Sequence, residues 1–163
     1  MLPHHFETSV VVSAPADVVF SYVDDHTRLS AHMRQSSWMM AGSRLAIELD
    51  ASGGRTVGAH IRLSGRVLGL RLAVEEIVTE RQPPLGKVWE TTGTPRLLVI
   101  GQYRMGYEIT PRGDASRLRM FIDSALPGPL PGRWLGRLFG RFYARWCTRR
   151  MANDATKHFQ ATV

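Results

Sequence analysis

The sequence predicts an α+β fold in which a strand and two short helices lead into a long antiparallel sheet, closed by one C-terminal helix. Three observations carry that expectation. Between residues 44 and 126, apolar and polar residues alternate in segment after segment, the two-residue period of half-buried strands. The only long stretch with helical spacing runs from about residue 133 to 159. The composition, 44% hydrophobic and 21% charged over 163 residues, suits a folded domain large enough for a real core.

Residues 6–13, FETSVVVS, are rich in β-branched side chains and read as the first strand. Ser13 is placed to cap a following helix, with Pro15 in its first turn and Asp17 at its positive end. Val18, Val19 and Tyr22 then share a face. A second short helix is expected over residues 27–32, after Asp24 and Asp25, which read as caps or breakers rather than as a catalytic pair. Residues 36–42, SSWMMAG, form an apolar connector. RLAIELD then alternates and turns at residues 52–54. Val57, Ala59, Ile61 and Leu63 share one face, and His60, Arg62 and Ser64 take the other. LGLRLAVEEIVTE ends before Pro83, and GKVWETTG ends before Pro95. LLVIGQYRMGYEIT sets Tyr103, Met105, Tyr107 and Ile109 against Arg104 and Glu108. After the PRGD turn, Leu118, Met120 and Ile122 oppose Arg117 and Arg119. Six strands joined mostly by short turns make an antiparallel meander with one apolar face. LPGPLPG (126–132) is a stiff joint into the last helix. No internal boundary or long repeat interrupts the pattern, so residues 1–163 read as a single domain.

The last helix carries an unusual beat. In GRWLGRLFGRFYARWCTRR (132–150), Arg133, Arg137, Arg141, Arg145 and Arg149 each follow a small residue. A four-residue step advances about 40° around a helix. The beat therefore separates an arginine face, a seam of small residues, and an apolar face of Leu135, Leu138, Phe139, Phe142, Tyr143 and Trp146. Glycine inside a helix costs about 1 kcal/mol relative to alanine. Close approach to another backbone would offset that cost, and so would space for a bound molecule. The apolar face is expected to join the core.

Charge narrows the function classes. The net charge is +7, but six of the 21 basic residues and no acid lie in 132–150, leaving the rest nearly neutral. This is not a chain coated for nucleic acid, and no nucleic-acid partner is expected. The single cysteine, Cys147, excludes an internal disulfide and a multi-cysteine metal site, and reads as a small core residue. No HxxxH or HxH pair occurs, and no Rossmann glycine motif or P-loop lies at a strand–helix junction, so neither metal nor cofactor is expected. The N-terminus does not read as a signal peptide, and no apolar run approaches the ~18 residues of a membrane span. A cytoplasmic location is the expectation.

The segment VVVSAPADVVFSYVDD, together with the order of elements, resembles the START-like (SRPBCC) superfamily, which includes polyketide cyclases and dehydrases, lipid-transport proteins and birch-pollen-type allergens. The resemblance spans nearly the whole chain. It implies a helix-grip fold, in which a curved sheet of about seven strands holds the long helix over a cavity. Many members have a tryptophan near the end of the second helix; here LSAHM supplies His32 and Met33 instead. The Rieske cysteines and iron ligands of ring-hydroxylase relatives have no counterpart.

That implied cavity would be lined by His32, Met33, Trp38, Trp89, Tyr103, Met105, Tyr107, Met120, Phe139, Phe142 and Tyr143. Three readings remain, the first two in line with the resemblance and the third from the arginine beat of the last helix. The first is binding of a hydrophobic small molecule or lipid, as a carrier or sensor. The second is a polyketide cyclase or dehydratase-type enzyme using His32 or Tyr103. The third, compatible with the first, is docking on an anionic membrane through Arg133, Arg137, Arg141 and Arg145.

Overall fold

In the computed structural model, which describes residues 2–34, 45–67, 69–128 and 132–160, the alternating segments form seven strands. They are β1 (His4–Val12), β2 (Leu45–Leu49), β3 (His60–Val67), β4 (Leu70–Gln82), β5 (Gly86–Arg96), β6 (Tyr103–Arg112) and β7 (Ala115–Ser124). All pair antiparallel in one sheet, in the order β1-β7-β6-β5-β4-β3-β2. The meander is as the alternation predicts, and β1 closes on β7 with Val10 opposite Leu118. The outer face is wet. Arg119 bridges Glu7 and Glu108 there, and His60 meets Glu75.

Between β1 and β2 lie α1 (Ala16–Val23), α2 (His26–Leu29) and α3 (Ala31–Arg34). The helix expected over residues 27–32 is thus two single turns broken at Ser30. Asp25 caps α2, accepting hydrogen bonds from the backbone N–H groups of Thr27 and Arg28. Ser13 does not cap α1. Pro15 holds the N-cap position in extended geometry with no side-chain bond. The buried face of α1 is Ala16, Val19, Phe20 and Val23, whereas Val18 is exposed. Trp38 and the connector 36–42 lie outside the described residues.

Three strand boundaries also differ from the alternation. β3 starts at His60, so Val57 lies in the preceding turn and is exposed, and only Ala59, Ile61 and Leu63 of that expected face are buried. β5 runs through Pro95 to Arg96 because its pairing with β4 is irregular between Ala73 and Glu75, and its pairing with β6 covers only Gly86 to Glu90. Proline is tolerated at such a break in the ladder. β6 starts at Tyr103 rather than near residue 97. Residues 97–102 leave the sheet and pack on the chain after β7: the Gly101 N–H donates to the Ala125 carbonyl, and a Cβ on Gly101 would sit 2.5 Å from the Leu126 carbonyl oxygen.

That displaced segment determines how the long helix sits. α4 (Gly132–Gln160) turns its small residues inward: Gly136, Ala144, Cys147 and Thr148 are buried, followed by Met151, Ala152 and Ala155. A Cβ on Gly140 would lie 2.8 Å from the Val99 carbonyl oxygen, and one on Gly136 would lie 2.6 Å from Pro127 Cδ. The glycines permit close approach of helix and loop backbone. The large apolar residues expected in the core are therefore turned out: Leu135, Leu138, Phe139 and Phe142 are all exposed.

A second constraint ties α1 to the sheet. Asp24, at the end of α1, meets Arg81 Nη2 at 2.8 Å and Lys87 Nζ at 3.3 Å, and the Lys87 side chain is wholly buried. Burial opposes ionisation of Asp24, but the Arg81 hydrogen bonds and the Lys87 charge outweigh it and hold the carboxyl below its usual range. Burial also lowers the pKa of Lys87, with Asp24 opposing.

Both constraints can be measured as stability. Gly140→Ala should destabilise the protein by about 1–2 kcal/mol in urea denaturation, because overpacking against a backbone carbonyl exceeds the alanine gain in helix propensity. Asp24→Ala should cost about 3–5 kcal/mol in the same measurement, because it leaves Lys87 buried without a counter-charge.

Candidate functional site

The inner face of the sheet is mostly apolar, and one of the polar groups buried on it is Glu76. Along β4, Leu72, Val74, Glu76 and Val78 all point inward, so Glu76 falls on the buried side. Its side chain is 4% exposed. Tyr103, from β6, donates its hydroxyl to Glu76 Oε1. His26, the first residue of α2, brings its Nε2 to 3.5 Å from Glu76 Oε2. The imidazole stands edge-on to Trp89 of β5, with ring centroids 5.1 Å apart. Glu76 Oε2 and His26 Nδ1 have no hydrogen-bond partner among the described residues. Burial raises the Tyr103 pKa well above its usual value, and the Glu76 carboxylate adds to the effect. The phenol therefore stays protonated and acts as a donor at neutral pH.

These groups border a cavity of about 30 Å³. Leu63, Val74, Met105 and Ile122 of the sheet supply its apolar floor, and Tyr143, Cys147 and Met151 of α4 its roof. Met33, Leu97 and Tyr143 are half-buried members of the wall. A void of this size admits one or two water molecules. Drug-sized ligands occupy about 300 Å³ or more, so wall side chains must move to admit one.

Of the residues predicted to line a cavity, Met33, Trp89, Tyr103, Met105 and Tyr143 do so. His32, Tyr107 and Met120 are buried but elsewhere. His32 packs edge-on against Trp146, outside the cavity wall. Tyr107 packs between Phe20 and Trp89. Phe139 and Phe142 face away from the core, because the glycine contact rotates the opposite side of α4 inward. Arg133, Arg137, Arg141 and Arg145 are exposed. Arg137 and Arg141 also border a second cleft of about 240 Å³ beside Gly136 and Gly140, floored by Phe6, Val99 and Leu126.

Sequence reasoning missed Glu76 and His26. The two-residue period through Val74 and Val78 was a sufficient signal for Glu76. Nothing local marks His26, whose place beside Glu76 comes from the packing of α2 on the sheet. Cys147 is buried as expected, and burial pushes its thiol pKa up to about 12.

Burial of His32 and Cys147 has consequences that titration and labelling can read. Burial lowers the His32 pKa from 6.5 to about 4. The unfolded chain then takes up the proton first, so stability should fall as pH drops from 6.5 toward 4, by up to about 3 kcal/mol. Urea denaturation across that range should show the slope for the native sequence and a flatter one for His32→Phe. The Cys147 thiol holds almost no thiolate at neutral pH. Iodoacetamide should leave it unmodified in the folded protein and alkylate it in urea, as read by intact mass.

Comparison with known proteins agrees with this architecture. A Thermus thermophilus protein, TTHA0849, superposes with a TM-score of 0.70 at 14% identity, covering 98% of this chain and 99% of that one. The Zhui aromatase/cyclase from Streptomyces sp. R1128 gives 0.63 at 16% identity, covering 96% and 93%. A START superfamily protein from Mycobacterium smegmatis gives 0.63 at 16% identity, covering 98% and 99%. At such identities the likeness shows the helix-grip fold. Comparison with curated proteins gave no match. The sequence model of one family, polyketide cyclase / dehydrase and lipid transport, matches residues 3–161, and the chain belongs to that family.

Proposed function

We propose that the chain, acting as a single domain, binds a hydrophobic small molecule beneath α4 and holds one polar group of it against Glu76, His26 and Tyr103. The observation that carries this reading is a buried carboxylate in a largely apolar wall, with one oxygen that makes no hydrogen bond and stands 3.5 Å from His26 Nε2, while Nδ1 of the same ring is also unpartnered. An unsatisfied buried polar group costs about 1–3 kcal/mol. A ligand hydroxyl or amine donating to Glu76 Oε2 removes that cost. The cavity residues Met33 and Met105 are unbranched and adaptable, which suits a wall that must repack around a guest. The family, which includes both cyclases and lipid carriers by its description, supports an apolar ligand.

The same cluster favours a second reading, an enzyme of the cyclase or dehydratase type. A carboxylate, an imidazole and a phenol within one apolar pocket are the groups that move protons between carbon and oxygen. In that reading His26, rather than His32, is the histidine beside the substrate.

Organic extraction of the purified protein with mass spectrometry, beside its native mass spectrum, tests binding. A stoichiometric apolar compound is the expected result. Titration with 2-naphthol, followed by fluorescence, should show binding that weakens about tenfold in Glu76→Gln, the loss of one charge-assisted hydrogen bond. An empty protein that also takes up no member of a broad apolar library would overturn the reading. Conversion of an aromatic polyketide-like substrate, lost in Glu76→Gln and Tyr103→Phe, would establish the enzyme instead.

A further inference from the structure

The outward face of α4 has no role in the cavity. Over its first three turns it exposes Trp134 (66%), Leu135 (37%), Leu138 (49%), Phe139 (52%) and Phe142 (67%). Single exposed apolar residues are ordinary on a soluble surface, but five large ones on one helical face within nine residues form a patch. The patch lies opposite the seam of Gly136, Ala144 and Cys147 that packs inward. Among the described residues this face stays exposed, because the helix packs on the core by its other side.

The charge around the patch identifies what covers it. Arg133, Arg137, Arg141, Arg145 and Arg149 are exposed along the same helix, and among the described residues none of the five has an ion-pair partner. No acid occurs between residues 132 and 153, and the first, Asp154, is engaged by Arg150. A second copy of this chain would bring its own arginines against these in a two-fold contact, which like charges disfavour. An anionic lipid surface fits both features. Trp, Leu and Phe side chains enter the boundary between headgroups and acyl chains, and arginines reach sideways from their stems to lipid phosphates. No helix of the described residues is long and apolar enough to cross a membrane, so the contact is one of lying on the surface.

We propose that the exposed Trp134–Phe142 face of α4 docks the protein on anionic lipid bilayers, with its apolar residues inserted and its arginines on the phosphates. This does not depend on the ligand reading, although the same helix roofs the cavity through Tyr143, Cys147 and Met151. If both hold, exchange of an apolar ligand takes place at the membrane.

Cosedimentation of the full chain with phosphatidylcholine vesicles, with and without phosphatidylglycerol, tests the proposal. Binding is expected to the anionic vesicles and to weaken steeply with salt. The triple variant Arg137→Gln, Arg141→Gln, Arg145→Gln should lose roughly a hundredfold in affinity, about fivefold for each arginine. The double variant Trp134→Ser, Phe142→Ser should lose roughly tenfold or more while its thermal melt stays unchanged, since both side chains are exposed. Absence of binding to anionic vesicles would overturn the proposal. So would binding that the double variant leaves intact, which would mean charge attraction without insertion. A concentration-dependent dimer in analytical ultracentrifugation, lost in the double variant and accompanied by no vesicle binding, would reassign the patch to a second copy.

Discussion

The carbonyl of Val99 occupies the space that a side chain on Gly140 would need, and the orientation of α4 depends on that contact. An amphipathic helix ordinarily lays its largest apolar side chains on a sheet, and those side chains hold the two backbones apart. Here residues 97–102 have left the sheet and fill part of that gap with backbone. Only a face without side chains fits against it. The glycines weaken the helix by about 1 kcal/mol each, and close packing with the Val99 and Leu126 region offsets the loss. The arrangement of every other side chain on α4 is a consequence of that rotation.

The contacts change along the same helix. At Gly136 and Gly140 it meets the loop backbone and Pro127; farther on, Tyr143, Cys147 and Met151 reach the cavity wall. One helix thus packs on backbone near its start and roofs a void at its middle.

Two sets of buried charged groups divide the work between structure and site. Around Asp24, one carboxylate is shared by two cations and the Lys87 ammonium also donates to a backbone carbonyl, so each charged group has a partner. That set joins α1 to β4 and β5. Around Glu76, the Tyr103 hydroxyl engages one oxygen, while the other faces an imidazole at a distance too long for a strong bond. A partly satisfied polar cluster inside an apolar wall is costly unless something else completes it. His32 and Tyr107 also hold buried polar atoms without a partner, but neither borders the cavity; the candidate site is marked by having such atoms on the cavity wall.

Much of the fold was legible in the residues. The two-residue period of β3, β6 and β7 named the buried positions, with Tyr103, Met105, Tyr107 and Ile109 on one side of β6 as the alternation requires. The short turns determined the order of the meander, and the proline-rich joint marked the start of the last helix. These features are local, because a strand has only two faces and a register shift of one residue would expose the whole apolar set. The site was legible only in part. Period two on β4 already placed Glu76 inside, but its pairing with His26 and Tyr103 joins three elements distant in sequence. The direction in which α4 faces is the reverse of the expectation that its bulky apolar side joins the core. Its four-residue beat offers both a smooth face and a bulky apolar one, and burial of either satisfies helical periodicity. The tertiary structure decided between them, because the loop backbone at Val99 comes too close to admit Cβ atoms, leaving Phe139 and Phe142 in solvent.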